Sequence, residues 1–333
     1  MKSARAGAAR TIVAAAILMA FPQPAQALDW AVNTLDDLDD GTCDGTHCSL
    51  REALASLGSN DTVSFDFTST GQTTFTIAIN SGLLIDAGEV IIDGLDCTGC
   101  GTVASNTNSV SAGFNSALAV RIEPSGTYSG GPLLTIEGND VGVIGLNLDG
   151  GPGSAVVVDG ERTILEDLWI GTSISGGAGI GNTGNGIETL VAPDLEILDC
   201  LISGNSANGI SISDPDSDRP TIQGSIIGLD ITGTTADGNG GHGIYILGNG
   251  ADIVRPTVGG TSASQGNLVS GNSGDGIHLK DKILGENLSA TQSYGVIANN
   301  IVGTNGATSV ALPNGGSGLR LQASPGGGNE PEE

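Results

Sequence analysis

Asp214, Asp216 and Asp218, in the run DPDSD, stand at alternate positions and can turn hard oxygen ligands toward one point. Calcium is the ion this suggests. The closing Gly and distal Glu of an EF-hand loop are missing, and a plain acidic turn is the alternative reading. Asp37, Asp39, Asp40 and Asp44 form a second stretch of the same kind. Another set is spaced by a repeat. Glu188, Ser211, Tyr245, His278 and Arg320 each sit at the centre of a Gly-apolar-x-apolar unit, with the apolar residues pointing inward and the central one outward. Stacked, they form one outward column, in which Tyr245 can stack on a sugar ring while His278 and Arg320 donate hydrogen bonds. A solvated sheet face without a ligand shows the same pattern. A lyase needs a basic residue beside a cation-bound acidic sugar. After residue 27 the candidates are Arg51, Arg121, Arg162, Arg219, Arg255, Lys280, Lys282 and Arg320. None is assigned a catalytic role.

The elements that position these residues are short strands. From Asp61 onward apolar runs of strand length alternate with Gly-rich turns, as in VSFDF, FTIAI, VIIDG and AVVVDG. The Gly-apolar-x-apolar units begin at Gly186, Gly209, Gly243, Gly276 and Gly318, at intervals of 23, 34, 33 and 42 residues. A propeller blade needs roughly 40–50 residues, so the shortest interval excludes one. A coil of a parallel β-helix accommodates all four, because excess residues loop out without disturbing the stack. The expected fold is therefore all-β: a right-handed, single-stranded parallel β-helix over residues 61–322. CLISGN, NLVSGN and NIVGTN, beginning at Cys200, Asn267 and Asn300, predict two turn columns. One holds Cys200, Ser225, Asn267 and Asn300, which makes Cys200 a buried, inert thiol. The other holds Asn205, Asn272 and Asn305.

The N-terminal region differs. Lys2, Arg5 and Arg10, an apolar run to Phe21 and the small residues at Ala25 and Ala27 read as a signal peptide over 1–27, cleaved after Ala27. Its removal takes the formal charge from −26 to −29, which disfavours nucleic acid and anionic lipid as partners. Residues 28–60 form a cap whose one helix lies within CSLREALASLG, with Ser49 and Glu52 as a capping box and Gly58 as the stop. Cys43 with Cys48 and Cys97 with Cys100 are the simplest disulfide pairs in an exported chain. Zinc held by all four is the alternative. The Gly- and Glu-rich segment 323–333 reads as a disordered tail, and no later apolar stretch suggests a transmembrane anchor.

At CSLREA, residues 48–53, preceded by DDLDDGTCD, the chain resembles exported bacterial proteins that carry a CSLREA motif near their mature N-terminus. Its coils resemble the wider right-handed β-helix superfamily. The first resemblance implies a secreted or outer-surface location and no established reaction. Pectin-hydrolysing β-helix enzymes carry a GHG triplet, and GHG occurs here around His242. Their NTD and R-I-K segments are missing, so this GHG is read as a Gly-rich turn. The expectation is a monomeric, noncatalytic surface protein that binds glycan or cell-surface components. A polysaccharide lyase or glycoside hydrolase is the alternative.

Overall fold

The computed structural model describes residues 27–68, 71–214, 216–248, 255–280 and 295–322. The expected leader, nearly all of it, the expected tail and Lys282 lie outside them.

The chain winds as a right-handed parallel β-helix of three sheets. Sheet one has nine strands, from Asp29–Val32 to Val296–Ala298. Sheet two has eight, from Phe75–Ile79 to Ile301–Val302, and sheet three has eight, from Leu83–Ile85 to Leu319–Gln322. Every third strand pairs in parallel, so one strand from each sheet makes a coil and eight coils follow one another. The alternation read from the sequence is the reason. In sheet three Leu134, Val156, Ile187, Ile210, Ile244 and Ile277 stand in register, all pointing into the lumen and nearly or wholly shut from water. Burial of each such side chain is worth about 1.5–3 kcal/mol, and the ladder repeats in all three sheets.

Polar ladders fill the turns. Asn182, Asn205, Asn239, Asn272 and Asn314 form one in which each Nδ2 donates to the next Oδ1 at 2.8–3.0 Å. The expected column was therefore right at Asn205 and Asn272 and wrong at Asn305, whose carboxamide caps its own loop at Ser309 and Val310. The physical reason is an excursion: Thr304 and Ala311 bridge an inserted loop that puts Asn314 in the turn. The other column is as expected. Ser225 Oγ accepts from Cys200 N, Asn267 Oδ1 from Ser225 N, and Asn300 Oδ1 from Asn267 N. Cys200 is the free buried cysteine, and burial pushes its thiol well above the usual range.

Two satellites close the solenoid. The helix Leu50–Ala55 lays Leu50, Ala53 and Leu54 over the first coil, with Ser49 and Glu52 making the expected capping box. It ends on Ser56, two residues before the expected Gly58. The cap also contributes a strand, Asp29–Val32, paired in parallel with Thr62–Asp66. An excursion from the second coil crosses the outer face of sheet two. There Val110, Phe114 and Leu118 pack on Trp169, Leu201, Ile226 and Leu268, and Phe114 N donates to Ile231 O at 2.8 Å. Disulfides join Cys43 to Cys48 and Cys97 to Cys100. No described helix is long and apolar enough to cross a membrane.

Candidate functional site

Sheet three sets the outward column in the expected register. Glu188 pairs with Ser211, Ser211 with Tyr245, Tyr245 with His278 and His278 with Arg320. Its two ends differ. Glu188 accepts from Ser154 Oγ at 2.6 Å and lies near Asn185 Nδ2 at 3.3 Å, so its carboxylate braces the turn, and Ser211 is buried. Tyr245, His278 and Arg320, on the last three coils, share a site with two residues outside the column.

Those two belong to the turn that precedes each strand of sheet three. Ser154, Asn185, Asn208, His242, Asp275 and Ser317 occupy the same rung on successive coils. Each side-chain acceptor except the last takes the next member's backbone N–H: Asn185 N to Ser154 Oγ, Asn208 N to Asn185 Oδ1, and His242 N to Asn208 Oδ1. Asp275 N then donates to His242 Nδ1 at 2.9 Å, and Ser317 N to Asp275 Oδ1 at 2.6 Å. His242 thus replaces a turn asparagine while keeping its hydrogen bond.

At its other nitrogen His242 meets the column. His242 Nε2 lies 3.3 Å from His278 Nδ1, and His278 Nε2 lies 3.3 Å from Gln322 Oε1. The rings cross edge to face at 4.7 Å, and Tyr245 stacks on His242 at 5.5 Å. Asp275 Oδ1 is occupied by the ladder. Its Oδ2 is buried without a hydrogen bond, 3.4 Å from His242 Nδ1, 3.4 Å from His278 Nδ1 and 3.7 Å from Arg320 Nη1. Burial, with His278 adding to it, holds the His242 imidazole below the usual histidine range; Asp275 pulls the other way and Arg320 does not. The GHG triplet is therefore a turn, as read, and it also brings His242 against His278 and Asp275.

His242, Asp275 and His278 are close enough to share one ion, but their bonding fits an ion poorly. The Nδ1 lone pair of His242 holds a backbone N–H, and the Arg320 guanidinium already faces Asp275 Oδ2. The second group of this kind is Asp40, His47 and Glu52 in the cap. The calcium expectation at the DPDSD loop meets different partners. Asp214 Oδ2 accepts from Thr189 Oγ1 and Ser217 Oγ, each at 2.6 Å. Asp218 is ion-paired with Arg219 and Arg255. Asp216 is exposed. Asp214 and Asp218 turn to separate partners and Asp216 lies exposed, so the three carboxylates share no centre.

No protein-family model and no curated protein matches the chain. Among solved structures it is similar to pectate lyase Pel9A, at 12% identity and TM-score 0.39 over 83% of this chain and 78% of that one. It is also similar to a pectin methylesterase mutant in complex with a hexasaccharide, at 11% identity and TM-score 0.33 over 91% and 94%. Both likenesses concern the parallel β-helix. Both are carbohydrate-active enzymes by name, against the expectation of a noncatalytic protein, which is not carried further; the likeness itself shows the fold alone. The face expected to be a passive binding ladder carries a cluster of ionisable groups.

Proposed function

We propose that the protein is a carbohydrate-active enzyme acting on an extracellular glycan, with His242, Asp275, His278 and Arg320 as its reactive groups. One observation carries the reading: three successive coils bring two imidazoles and a guanidinium to one buried carboxylate oxygen that has no hydrogen bond, Asp275 Oδ2. Holding such an oxygen without a hydrogen bond costs about 1–3 kcal/mol or more. No backbone N–H holds His278 Nδ1, which faces His242 Nε2 at 3.3 Å, so a proton can pass between the two rings. When His278 Nδ1 takes up a proton, Asp275 Oδ2 stands 3.4 Å away to receive the new N–H. A linear glycan laid along the column meets one coil per ~4.8 Å, close to the length of a sugar residue, with Tyr245 as a platform.

The chemistry favours elimination over hydrolysis. Glycoside hydrolysis uses a pair of carboxylates, and Asp275 is the one carboxylate among the described residues of this cluster. Elimination from a uronate needs one base and a cation for the sugar carboxylate. The imidazole pair removes the proton next to that carboxylate, a carbon–carbon double bond forms as the bond to the glycosidic oxygen breaks, that oxygen takes the same proton back from the imidazole, and no water is consumed. Arg320, half exposed, is placed to hold the carboxylate. An exported location, and kinship with the CSLREA-motif proteins, belong to the same reading; two disulfides suit an oxidising compartment. A calcium ion at residues 214–218 is left out of it, since the ion would have to displace two arginines from Asp218.

The test is a panel of acidic and neutral polysaccharides incubated with the protein, reading unsaturated ends by ultraviolet absorbance and reducing ends separately. Cleavage with unsaturated ends, lost in His242→Asn and Asp275→Asn, supports the reading. Cleavage without unsaturated ends makes it a hydrolase. Activity that survives both substitutions places the reaction elsewhere.

A further inference from the structure

We propose that Asp40, His47 and Glu52 form a binding site for a zinc-class divalent ion that pins the N-terminal cap onto the first coil. The three residues come from the segment DDGTCDGTHCSLRE, and each offers a ligand atom within 4.8 Å of the others. His47 Nδ1 faces Glu52 Oε2 at 3.1 Å and Asp40 Oδ2 at 3.8 Å. That nitrogen is closed to water and has no hydrogen-bond partner. Ligand atoms around a tetrahedral zinc with bonds of ~2.0–2.1 Å lie about 3.3 Å apart, between the two observed separations.

The surroundings complete the arrangement. His47 Nε2 lies 3.2 Å from Asp36 Oδ1. Asp36 is itself held by Thr34 Oγ1 at 2.7 Å and Leu38 N at 3.1 Å. With the ring proton on Nε2 directed at Asp36, the Nδ1 lone pair points at the two carboxylates. A carboxylate behind a histidine is the usual outer support of a metal-bound imidazole. Glu52 is fixed from both sides: Asp40 N donates to Oε1 at 2.7 Å and Ser49 N to Oε2 at 2.8 Å. Each oxygen keeps a second lone pair. Asp40 is largely exposed, at 61%, and leaves a side open to water. The Cys43–Cys48 disulfide ends next to His47 and holds the loop that carries it.

Neighbouring aspartates are otherwise engaged. Asp37 binds Arg51 through both oxygens, at 2.9 Å each, Asp39 accepts from Gly41 N, and Asp44 from Thr46 and His47 N. The site is thus one imidazole and two carboxylates, a set that suits zinc or a similar transition ion. Calcium prefers six to eight oxygens. An ion here ties the loop carrying Asp40 and His47 to the first turn of the capping helix, which carries Glu52. The site lies at the opposite end of the solenoid from His242, so it stands independently of the proposed reaction.

Titration calorimetry of the intact, oxidised protein with Zn²⁺ tests it, alongside melting temperature with and without the ion. The expected result is one zinc per chain with a raised melting temperature. Asp40→Asn, at an exposed position, should weaken binding at least tenfold while leaving the metal-free melting temperature unchanged. Asp36→Asn should weaken it by roughly tenfold, the lower end for outer-support residues. His278→Gln should leave it unaltered. The proposal is overturned if the protein takes up no zinc, if Asp40→Asn and Asp36→Asn bind as tightly as the parent, or if His278→Gln abolishes uptake.

Discussion

The backbone N–H of Asp275 donates to Nδ1 of His242 at 2.9 Å, and this one bond sets which tautomer a neutral His242 adopts. A neutral ring that accepts at Nδ1 carries its proton on Nε2. His242 is then the donor across the 3.3 Å contact with His278 Nδ1, and His278 presents its own proton to Gln322 Oε1. The turn ladder that ties the coils together thereby also fixes how the two imidazoles face each other.

The same bond makes a clean separation of fold from function. His242→Asn puts back the residue found on the two preceding rungs, Asn185 and Asn208, and Asp275→Asn keeps the Oδ1 that receives Ser317 N. Both variants should melt within a few degrees of the parent. Turnover should fall by about 10²–10⁴, the usual contribution of a positioned acid–base group. Normal turnover in both would remove the pair from the mechanism.

Acid should weaken the native state through His242. Burial, His278 and Arg320 disfavour its protonated form, against Asp275. The unfolded chain therefore binds a proton at a pH where the folded one does not, and stability rises with pH across that interval. The contribution is complete above about 6.5, the ordinary histidine value, and is lost as the pH falls below it. Melting curves between about pH 5 and pH 7.5 should show the acid limb flattened in His242→Asn. An unchanged limb would assign the acid sensitivity to other groups.

Asn272 should matter more than Asn305. Asn272 Oδ1 accepts from Asn239 Nδ2 and its Nδ2 donates to Asn314 Oδ1, all inside the solenoid. Asn272→Ala leaves those partners unpaired at about 1–3 kcal/mol each. Asn305→Ala frees only bonds within its own loop and should cost about 1 kcal/mol or less. Denaturant midpoints that rank the two the other way would mean the ladder carries little stability.

Cys200 should resist thiol reagents until the chain unfolds, because it is fully buried and its thiolate is strongly disfavoured. Mass mapping of unreduced protein should find the Cys43–Cys48 and Cys97–Cys100 links with one thiol. Rapid labelling of the native protein would mean the fifth coil opens readily.

Much of the frame was legible in the residues themselves. Period-two alternation and the recurring Gly-apolar-x-apolar unit determine which residues share an outward column, because parallel strands stack identical positions at one coil per step. Glu188, Ser211, Tyr245, His278 and Arg320 follow from that alone. The Ser-x-x-Glu spacing marks the capping box at Ser49 and Glu52, and the closeness of each cysteine pair suggests disulfides, with zinc as the alternative that the disulfides exclude. A signal for more was present. Asn182, Asn205, Asn239, Asn272 and Asn314 each precede a Gly-apolar unit by four residues, and His242 and Asp275 precede theirs by one. That offset, and not the likeness of NIVGTN to NLVSGN, marks the ladder.

What the residues could not state is which side chains from different rungs meet. His242 was read as a turn residue because its slot is a turn slot. Only the stacking of three coils brings its Nε2 against His278, and only the packing around Asp275 leaves Oδ2 without a hydrogen bond. The same holds where charge pattern misled. Asp214, Asp216 and Asp218 look convergent along the chain, but Arg255 arrives from the next coil, 37 residues away, and draws Asp218 off. Asp40, His47 and Glu52 do converge, because the capping helix folds back onto its own leading loop. Local periodicity decides where a side chain points, and the tertiary stack decides what it finds there.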